Sequence, residues 1–254
     1  SMNDFEDRVA VITGSTSGIG YACAGELGRR GARVVVNGRS AERSDAAAAA
    51  LRVAGIDAMA VVADVAEPEQ AQRLVATAAA AWGRIDVLVN NAGRPSVAPA
   101  TELPPAEWDA VIALNLSAPF YCAQAAAPHL FERGGVVVNV GSVMGRVGAP
   151  MRAAYTASKH GLEGLTRTLA VEWADRGVRV VAVCPGYTRT PLIEDAKRRG
   201  GFDEAALTRR TPLGRLAEAP EIARVVAFLA SDDAAYITGE SVLVDGGWVA
   251  YGYL

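Results

Sequence analysis

Residues 8–38 read as strand, glycine turn, helix and strand, and that succession leaves few folds open to the chain. Arg8 to Thr13 (R-V-A-V-I-T) is a short apolar, β-rich run, T-G-S-T-S-G-I-G breaks it, and Tyr21 to Arg30 has helical character ending at Gly31. Val34 to Val36 supplies a second apolar strand at the distance a βαβ unit needs. Gly14, Gly18 and Gly20 remove side chains where a pyrophosphate would approach backbone N–H groups, and the helix N-terminus adds a dipole that favours the anion. The spacing is G-x-x-x-G-x-G, not G-x-G-x-x-G. A plain βα turn is the alternative, and the second strand favours the nucleotide reading.

The alternation continues to the end of the chain. Residues 41–54 read as a helix, Ile56 to Ala63 as a strand closing at Asp64, and 67–82 as a helix stopped at Gly83. Ile85 to Val89 is a fourth strand running into N-N-A-G (Asn90 to Gly93), whose small residues let the chain pass close beneath a cofactor. After Pro104 and Pro105, apolar residues recur at helical spacing as far as Phe131, with Asn115 in the middle and Pro119 placed to bend the helix. Gly135 to Val140 is strand five, Ala153 to Asp175 a helix stopped by Gly177, and Val178 to Val183 strand six. The run Cys184 to Leu192 turns out of the sheet, and the charged stretch behind it makes about 187–215 a candidate mobile lid. Glu218 to Leu229 is a last helix and Ser241 to Val244 a last strand before D-G-G-W. Without linker, repeat or change of composition, the expectation is one parallel, doubly wound α/β sheet in a single domain. Its cofactor half spans about 8–140 and its catalytic and substrate half about 141–254.

Composition excludes several function classes. A net charge of −3 and a pI of about 5.5 argue against a dedicated nucleic-acid surface. No apolar run is expected to reach the roughly 20 residues that span a bilayer. The acidic, polar start (Asn3, Asp4, Glu6, Asp7) lacks the marks of a signal peptide. Cys23, Cys122 and Cys184 are odd in number, far apart and in apolar company, which fits a reducing, cytoplasmic setting better than a disulfide framework or zinc site. His129 and His160 are too isolated for a metal cluster, so no metal is expected.

The chemistry concentrates between Ser142 and Lys159 (S-V-M-G-R-V-G-A-P-M-R-A-A-Y-T-A-S-K). If Tyr155 opens a helix after Pro150, the four-residue spacing puts Tyr155 and Lys159 on one face, a turn apart. A fixed cation then favours the phenolate and brings a phenol of pKa about 10 toward a useful value. Ser142 follows a strand and can offer its hydroxyl to the same substrate oxygen. An ordinary surface pair is the alternative for Tyr155 and Lys159, and the cofactor half upstream decides against it. At the end of strand two, N-G-R-S offers no acidic residue for a ribose 2′-hydroxyl; Arg39 either faces a 2′-phosphate or is a surface arginine. Asp64 either accepts from an adenine amino group or caps the next turn. Arg94, Arg152 and Arg189 are placed to border one cleft and take an anionic substrate group, solvated arginines being the alternative.

Together, T13-G-S-T-S-G-I-G20, N90-N-A-G93, Asn115, Ser142, Y155-T-A-S-K159 and P185-G186 resemble the motif set of the classical short-chain dehydrogenase/reductase (SDR) family, in its order and spacing. The resemblance implies a Rossmann-type sheet of about seven parallel strands flanked by helices on both faces, and a nicotinamide cofactor. It implies Tyr155 as acid/base, Ser142 holding the substrate oxygen, Lys159 binding ribose and lowering the tyrosine pKa, and Asn115 completing a proton relay. By the same carry-over, the cofactor lies on Gly14, Ser15, Thr16, Ser17, Gly18, Ile19, Gly20, Arg39, Asp64, Val65, Asn91, Ala92, Gly93, Tyr155, Lys159, Pro185, Gly186, Thr188 and Thr190. A homotetramer built on the helices of Asn115 and Tyr155 is also implied. The expected activity is hydride transfer between NADP(H), with NAD(H) as second choice, and a ketone or secondary alcohol. The passages G-S-T-S-G-I-G, I-A-L-N-L-S and V-D-G-G-W resemble hydroxybutyrate dehydrogenases, while oxoacyl reductases and sugar or polyol dehydrogenases share the core motifs. A non-catalytic nucleotide sensor would be expected to lack Tyr155 or Lys159, and a mere scaffold would leave the glycine turn unexplained.

Overall fold

The computed structural model describes residues 4–198 and 203–252. Strands β1 (Val9–Ile12), β2 (Arg33–Gly38), β3 (Ala58–Val62), β4 (Val87–Asn90), β5 (Val136–Val140) and β6 (Arg179–Pro185) alternate with helices. These are α1 (Gly18–Arg29), α2 (Ala41–Val53), α3 (Pro68–Trp82), α4 (Pro105–Ile112), α5 (Ala118–Arg133) and α6 (Ala153–Trp173). Then come a short strand β7 (Thr188–Arg189), α7 (Pro191–Arg198), α8 (Glu204–Arg210), a short strand β8 (Ala217–Glu218), α9 (Ala219–Ala230) and β9 (Ser241–Val244). The expected doubly wound sheet is present: seven parallel strands in the order β3-β2-β1-β4-β5-β6-β9. Chain progression reverses between β1 and β4, and a crevice opens there at the carboxyl ends of the strands.

The strands are nearly uninterrupted valine because both sheet faces are covered. Ile12, Val34, Val36, Val87, Val89, Val138 and Val183 meet Cys23 and Leu27 of α1, Leu51 of α2, and Ile222 and Val226 of α9. Their neighbours Val11, Val35, Leu88, Val137 and Val180 meet Leu74 of α3, Cys122 and Leu130 of α5, and Leu169 and Trp173 of α6. Alternate residues of each strand thus belong to separate cores, and a one-residue slip would exchange them all. Each such side chain contributes about 1.5–3 kcal/mol of burial, which fixes the register that sets the strand ends beneath the crevice.

Near Pro119, which was expected to bend the helix, a π turn, Ala113–Ser117, joins α4 to α5 in one helical run from Pro105 to Arg133. By length and composition this run is apolar enough to cross a membrane, contrary to the expectation that none is. Val111, Asn115, Ala118, Cys122, Ala126 and Leu130 are nevertheless buried along it, which reads as a core helix. The stretch expected to be a lid, of which 199–202 lie outside the described residues, carries α7 and α8 and is pinned at its base by the parallel pair β7–β8.

Candidate active site

One cleft of about 790 Å³ runs along the crevice. Thr16, Ser17, Gly18 and Ile19 line it where α1 begins. Ser17, the N-cap, makes no side-chain cap and the first turn holds no acidic residue, so this helix end keeps donors for an anion. Those donors, with the size of the cleft, fit a dinucleotide phosphate.

The glycines divide the work differently from the expectation. Gly18, at φ +59°, faces the cleft beside Thr190. A Cβ on Gly14 would stand 2.8 Å from Ala92 Cα, and one on Gly20 would stand 2.4 Å from Asn91 Nδ2. These two clear space for the N-N-A-G loop, whose Asn91 Nδ2 donates to the Thr13 and Gly14 carbonyls at 3.0 and 2.9 Å, and Gly14 lines the cleft as expected. Gly20 does not line the cleft, nor does Ser15, whose hydroxyl donates to the Ile12 carbonyl at 2.6 Å and accepts from Asn37 N–H at 2.9 Å.

At the far end, Arg39 lines the cleft with a side chain 76% exposed, and its Nη1 lies 3.8 Å from Asp64 Oδ2. Asp64 Oδ1 accepts from Ala66 N–H at 3.1 Å, so the turn-capping role is realised while the residue, with Val65, still lines the cleft. Sequence reasoning missed Arg43, one helical turn past Arg39, which lines the same end and has no ion-pair partner among the described residues. Its position three residues after the α2 N-cap Ser40 was the available signal.

The opposite end gathers Ser142, Tyr155 and Lys159. Strand β5 carries the chain to Ser142, whose Oγ accepts from Met144 N–H at 3.1 Å to cap a 3₁₀ turn, Val143–Gly145. The Ser142 hydroxyl faces the Tyr155 phenol and favours its ionised form. Lys159 Nζ donates to the Val140 carbonyl at 2.8 Å and lies 5.7 Å from the Tyr155 ring centroid. Burial pushes the Tyr155 phenol above its usual value, opposed by the Ser142 hydroxyl and the Arg152 charge. Burial lowers the Lys159 ammonium to about 8. The expected depression of the phenol by Lys159 is therefore not what dominates here, because both groups lose more by leaving water than they gain from each other.

Asn115 is buried in the π turn and does not line the cleft. Its Oδ1 accepts from Arg94 N–H at 2.9 Å, and its Nδ2 donates to the Arg94 carbonyl at 3.0 Å and to Ser158 Oγ at 3.2 Å. Pro119 has no N–H to return to the Asn115 carbonyl, which is the local reason for the wider turn.

The three arginines part company. Arg152 lines the cleft; its Nη1 makes a long hydrogen bond, 3.4 Å, to the Ser96 carbonyl, and its charge acts on both Tyr155 and Tyr187. Arg94 also lines the cleft but is held by both oxygens of Glu107 at 2.8 Å. Arg189 does not line it, which corrects that expectation: its guanidinium joins Glu194, Glu204 and Glu218 at 3.0–3.2 Å. Each of its three nitrogens faces a carboxylate, two from the lid stretch and Glu218 of β8. Pro185, Gly186, Thr188 and Thr190 line the cleft where β6 ends. Behind it, Trp248 packs with Val143, Met144, Tyr155 and Tyr187, so the C-terminal turn backs the site within its own chain.

The family model described as enoyl-(acyl carrier protein) reductase matches residues 14–249. Over 96% of its length the chain is 40% identical to D-beta-hydroxybutyrate dehydrogenase of Rhizobium meliloti (strain 1021), of which 99% is covered. Over 97% it is 44% identical to cis-4-hydroxycyclohexanecarboxylate dehydrogenase of Sinomonas cyclohexanicum, of which 98% is covered. The crystal structure of gox2181 superposes with a TM-score of 0.94 at 36% identity, over 98% of this chain and 99% of that one. The chain belongs to the short-chain dehydrogenase/reductase family and is an oxidoreductase working with a nicotinamide cofactor on a hydroxy or keto substrate.

Proposed function

We propose that this oxidoreductase interconverts a ketone and a secondary alcohol on a small substrate that carries a carboxylate, and prefers NADP(H) to NAD(H). The observation that carries the substrate class is Arg152, a cleft-lining guanidinium whose charge reaches Tyr155 and which no carboxylate of the described residues neutralises. Both relatives named above bear the name of a hydroxy acid, which supports the same reading.

A bound nicotinamide supplies or accepts the hydride. Ser142 Oγ holds the substrate oxygen beside the Tyr155 hydroxyl, which gives its proton to the developing alkoxide in reduction and takes one back in oxidation. Because burial raises the Tyr155 pKa, the phenol rests protonated at neutral pH, as reduction needs. Lys159, fixed by Val140, holds the ribose, and Asn115 takes part in proton delivery from the π turn. Arg39 and Arg43 serve a 2′-phosphate at the β2 end, where the long Arg39–Asp64 pair is easily exchanged. One charge-assisted hydrogen bond there is worth roughly 1.5–3 kcal/mol, or about 10- to 150-fold in relative affinity. A homotetramer in the cytoplasm completes the proposal, supported by exposed Phe120 and Val171 on α5 and α6 and by three buried free cysteines.

The test compares kcat/KM for a keto acid and its methyl ester, with each cofactor, in wild type, Arg152→Gln and Arg39→Ala. The acid should win with the wild type and lose its advantage in Arg152→Gln. Equal values for acid and ester, or a wild-type preference for NAD(H), would overturn the respective half. Gly38→Asp is a poor cofactor switch, since a Cβ there would meet Thr16 Cγ2 at 2.6 Å and Ser44 Oγ at 3.0 Å.

A further inference from the structure

Tyr155, Lys159, Glu163 and Arg167 follow one another at four-residue steps along α6, and the proposed chemistry uses only the first two. Glu163 is 4% exposed. A carboxylate so deeply buried is strongly unfavourable unless charged partners surround it, and an apolar side chain would pack α6 with less penalty. Its closest charged partner lies on the turn that carries Ser142. Glu163 Oε1 is 3.0 Å from Arg146 Nε, and Oε2 is 3.4 Å from Arg167 Nη1. Arg146 Nη2 also donates to the Ser241 carbonyl of β9 at 3.0 Å and lies 3.8 Å from the Glu240 carboxylate.

The other end of the turn is reached through sulfur. Cys184 Sγ of β6 donates to Glu163 Oε1 at 3.7 Å, and the Ser142 backbone lies close enough to that thiol to favour its ionised form. Between the two ends, a Cβ on Gly145 would stand 2.7 Å from Glu163 Oε1 and 3.2 Å from the Lys159 carbonyl, so the turn lies directly on the helix. One carboxylate therefore holds the turn at Arg146, lies against it at Gly145 and reaches toward Ser142 through Cys184.

We infer that Glu163 is a positioning residue of the active site: with Arg146 it clamps the Ser142 turn onto the Tyr155/Lys159 helix, holding the Ser142 hydroxyl against the tyrosine. The inference rests on the proposed roles of Ser142 and Tyr155. Groups facing the Glu163 carboxylate are Arg146 from the turn, Arg167 from its own helix and Cys184 from β6, with Glu240 beyond Arg146.

The test uses Glu163→Gln, Arg146→Met and the double variant in the full chain. Each single variant should lower kcat by about 10- to 100-fold, the loss that a misplacement of about 1 Å brings, with KM and the NADPH dissociation constant from fluorescence titration within about twofold of wild type. The double variant should be no worse than either single one, since the two changes break one interaction. A second readout needs no substrate: the Tyr155 titration, taken as the 295 nm difference from Tyr155→Phe in the same background, should move upward as the Ser142 hydroxyl draws away. A purely structural Glu163 would lower the melting temperature and leave kcat and the phenol titration in place, and that result overturns the inference. If Glu163→Gln does not fold, Arg146→Met, at the half-exposed end of the clamp, decides by the same readouts. A wild type inactive on every substrate sinks the functional reading alone, because the phenol titration still answers for Glu163.

Discussion

Lys159 is 5% exposed, hydrogen-bonded among the described residues to the Val140 carbonyl alone, and lowered by burial to about 8. An unfolded lysine titrates near 10.4, so folding disfavours the charged form. The penalty is fully present below the folded value, shrinks as pH rises from about 8 to about 10.4, and is absent above. Lys159→Met should therefore stabilise the fold at pH 7, by up to about 3 kcal/mol for a displacement of this size, and lose that advantage near pH 10.5. Urea unfolding at the two pH values measures it, and turnover should be abolished. Tyr155→Phe keeps the ring and removes the proton donor, so kcat should fall by about 10²- to 10⁴-fold with cofactor binding nearly intact. A Phe variant with near-normal kcat would refute the proton role. The Tyr155, Lys159 and Ser142 cluster was legible because helical spacing and a strand end place those side chains whatever surrounds them. Arg189 was not, since its partners Glu194, Glu204 and Glu218 come from elements whose docking no local pattern encodes.

Helices and strands were legible to within a few residues where periodicity and stop signals coincide, as at Gly83 after α3 and Gly177 after α6. The π turn was half legible. Pro119 announced a missing hydrogen bond, but whether the helix kinks or widens depends on tertiary partners, here the Arg94 backbone and Ser158 around Asn115 and the Asn90 amide donating to the Pro119 carbonyl at 3.3 Å. Pro119→Ala restores the N–H that an α-helical register would return to the Asn115 carbonyl, and π turns of this kind recur at functional sites because closing one rotates the residues it carries. The variant should melt no lower than wild type yet lose at least about tenfold in kcat as Asn115 turns away from its partners. Unchanged kcat would show that the packing around Asn115, not the proline, maintains the turn. The pairing of β7 with β8 left no signal at all, being too short for any two-residue alternation to register.

At the scale of the molecule, the doubly wound sheet was legible because valine-rich strands separated by helices of similar length admit little else, and the cleft follows from the reversal between β1 and β4. Cofactor preference depends on side chains such as Arg39, Arg43 and Asp64, which come to line one cleft only after folding. The same geometry makes cofactor binding a matter of global stability. Its cleft is lined from the α1 turn, the ends of β2 and β3, the loop after β4 and the loop after β6, so a dinucleotide would bridge both halves of the sheet. A ligand that binds only the native state adds about 2.7 kcal/mol at a hundredfold excess over its dissociation constant. For a chain of this size each kcal/mol raises the melting temperature by roughly 2–4 °C, which gives about 5–10 °C. At equal concentration, with both cofactors in excess, NADPH should exceed NADH by about 3–12 °C, the margin that a 10- to 150-fold affinity ratio implies, in both wild type and Tyr155→Phe. In Arg39→Ala the two cofactors should converge, with Arg43 retaining part of the difference. Equal shifts in the wild type, or a larger one with NADH, would remove the proposed preference while leaving the hydride chemistry at Tyr155 standing.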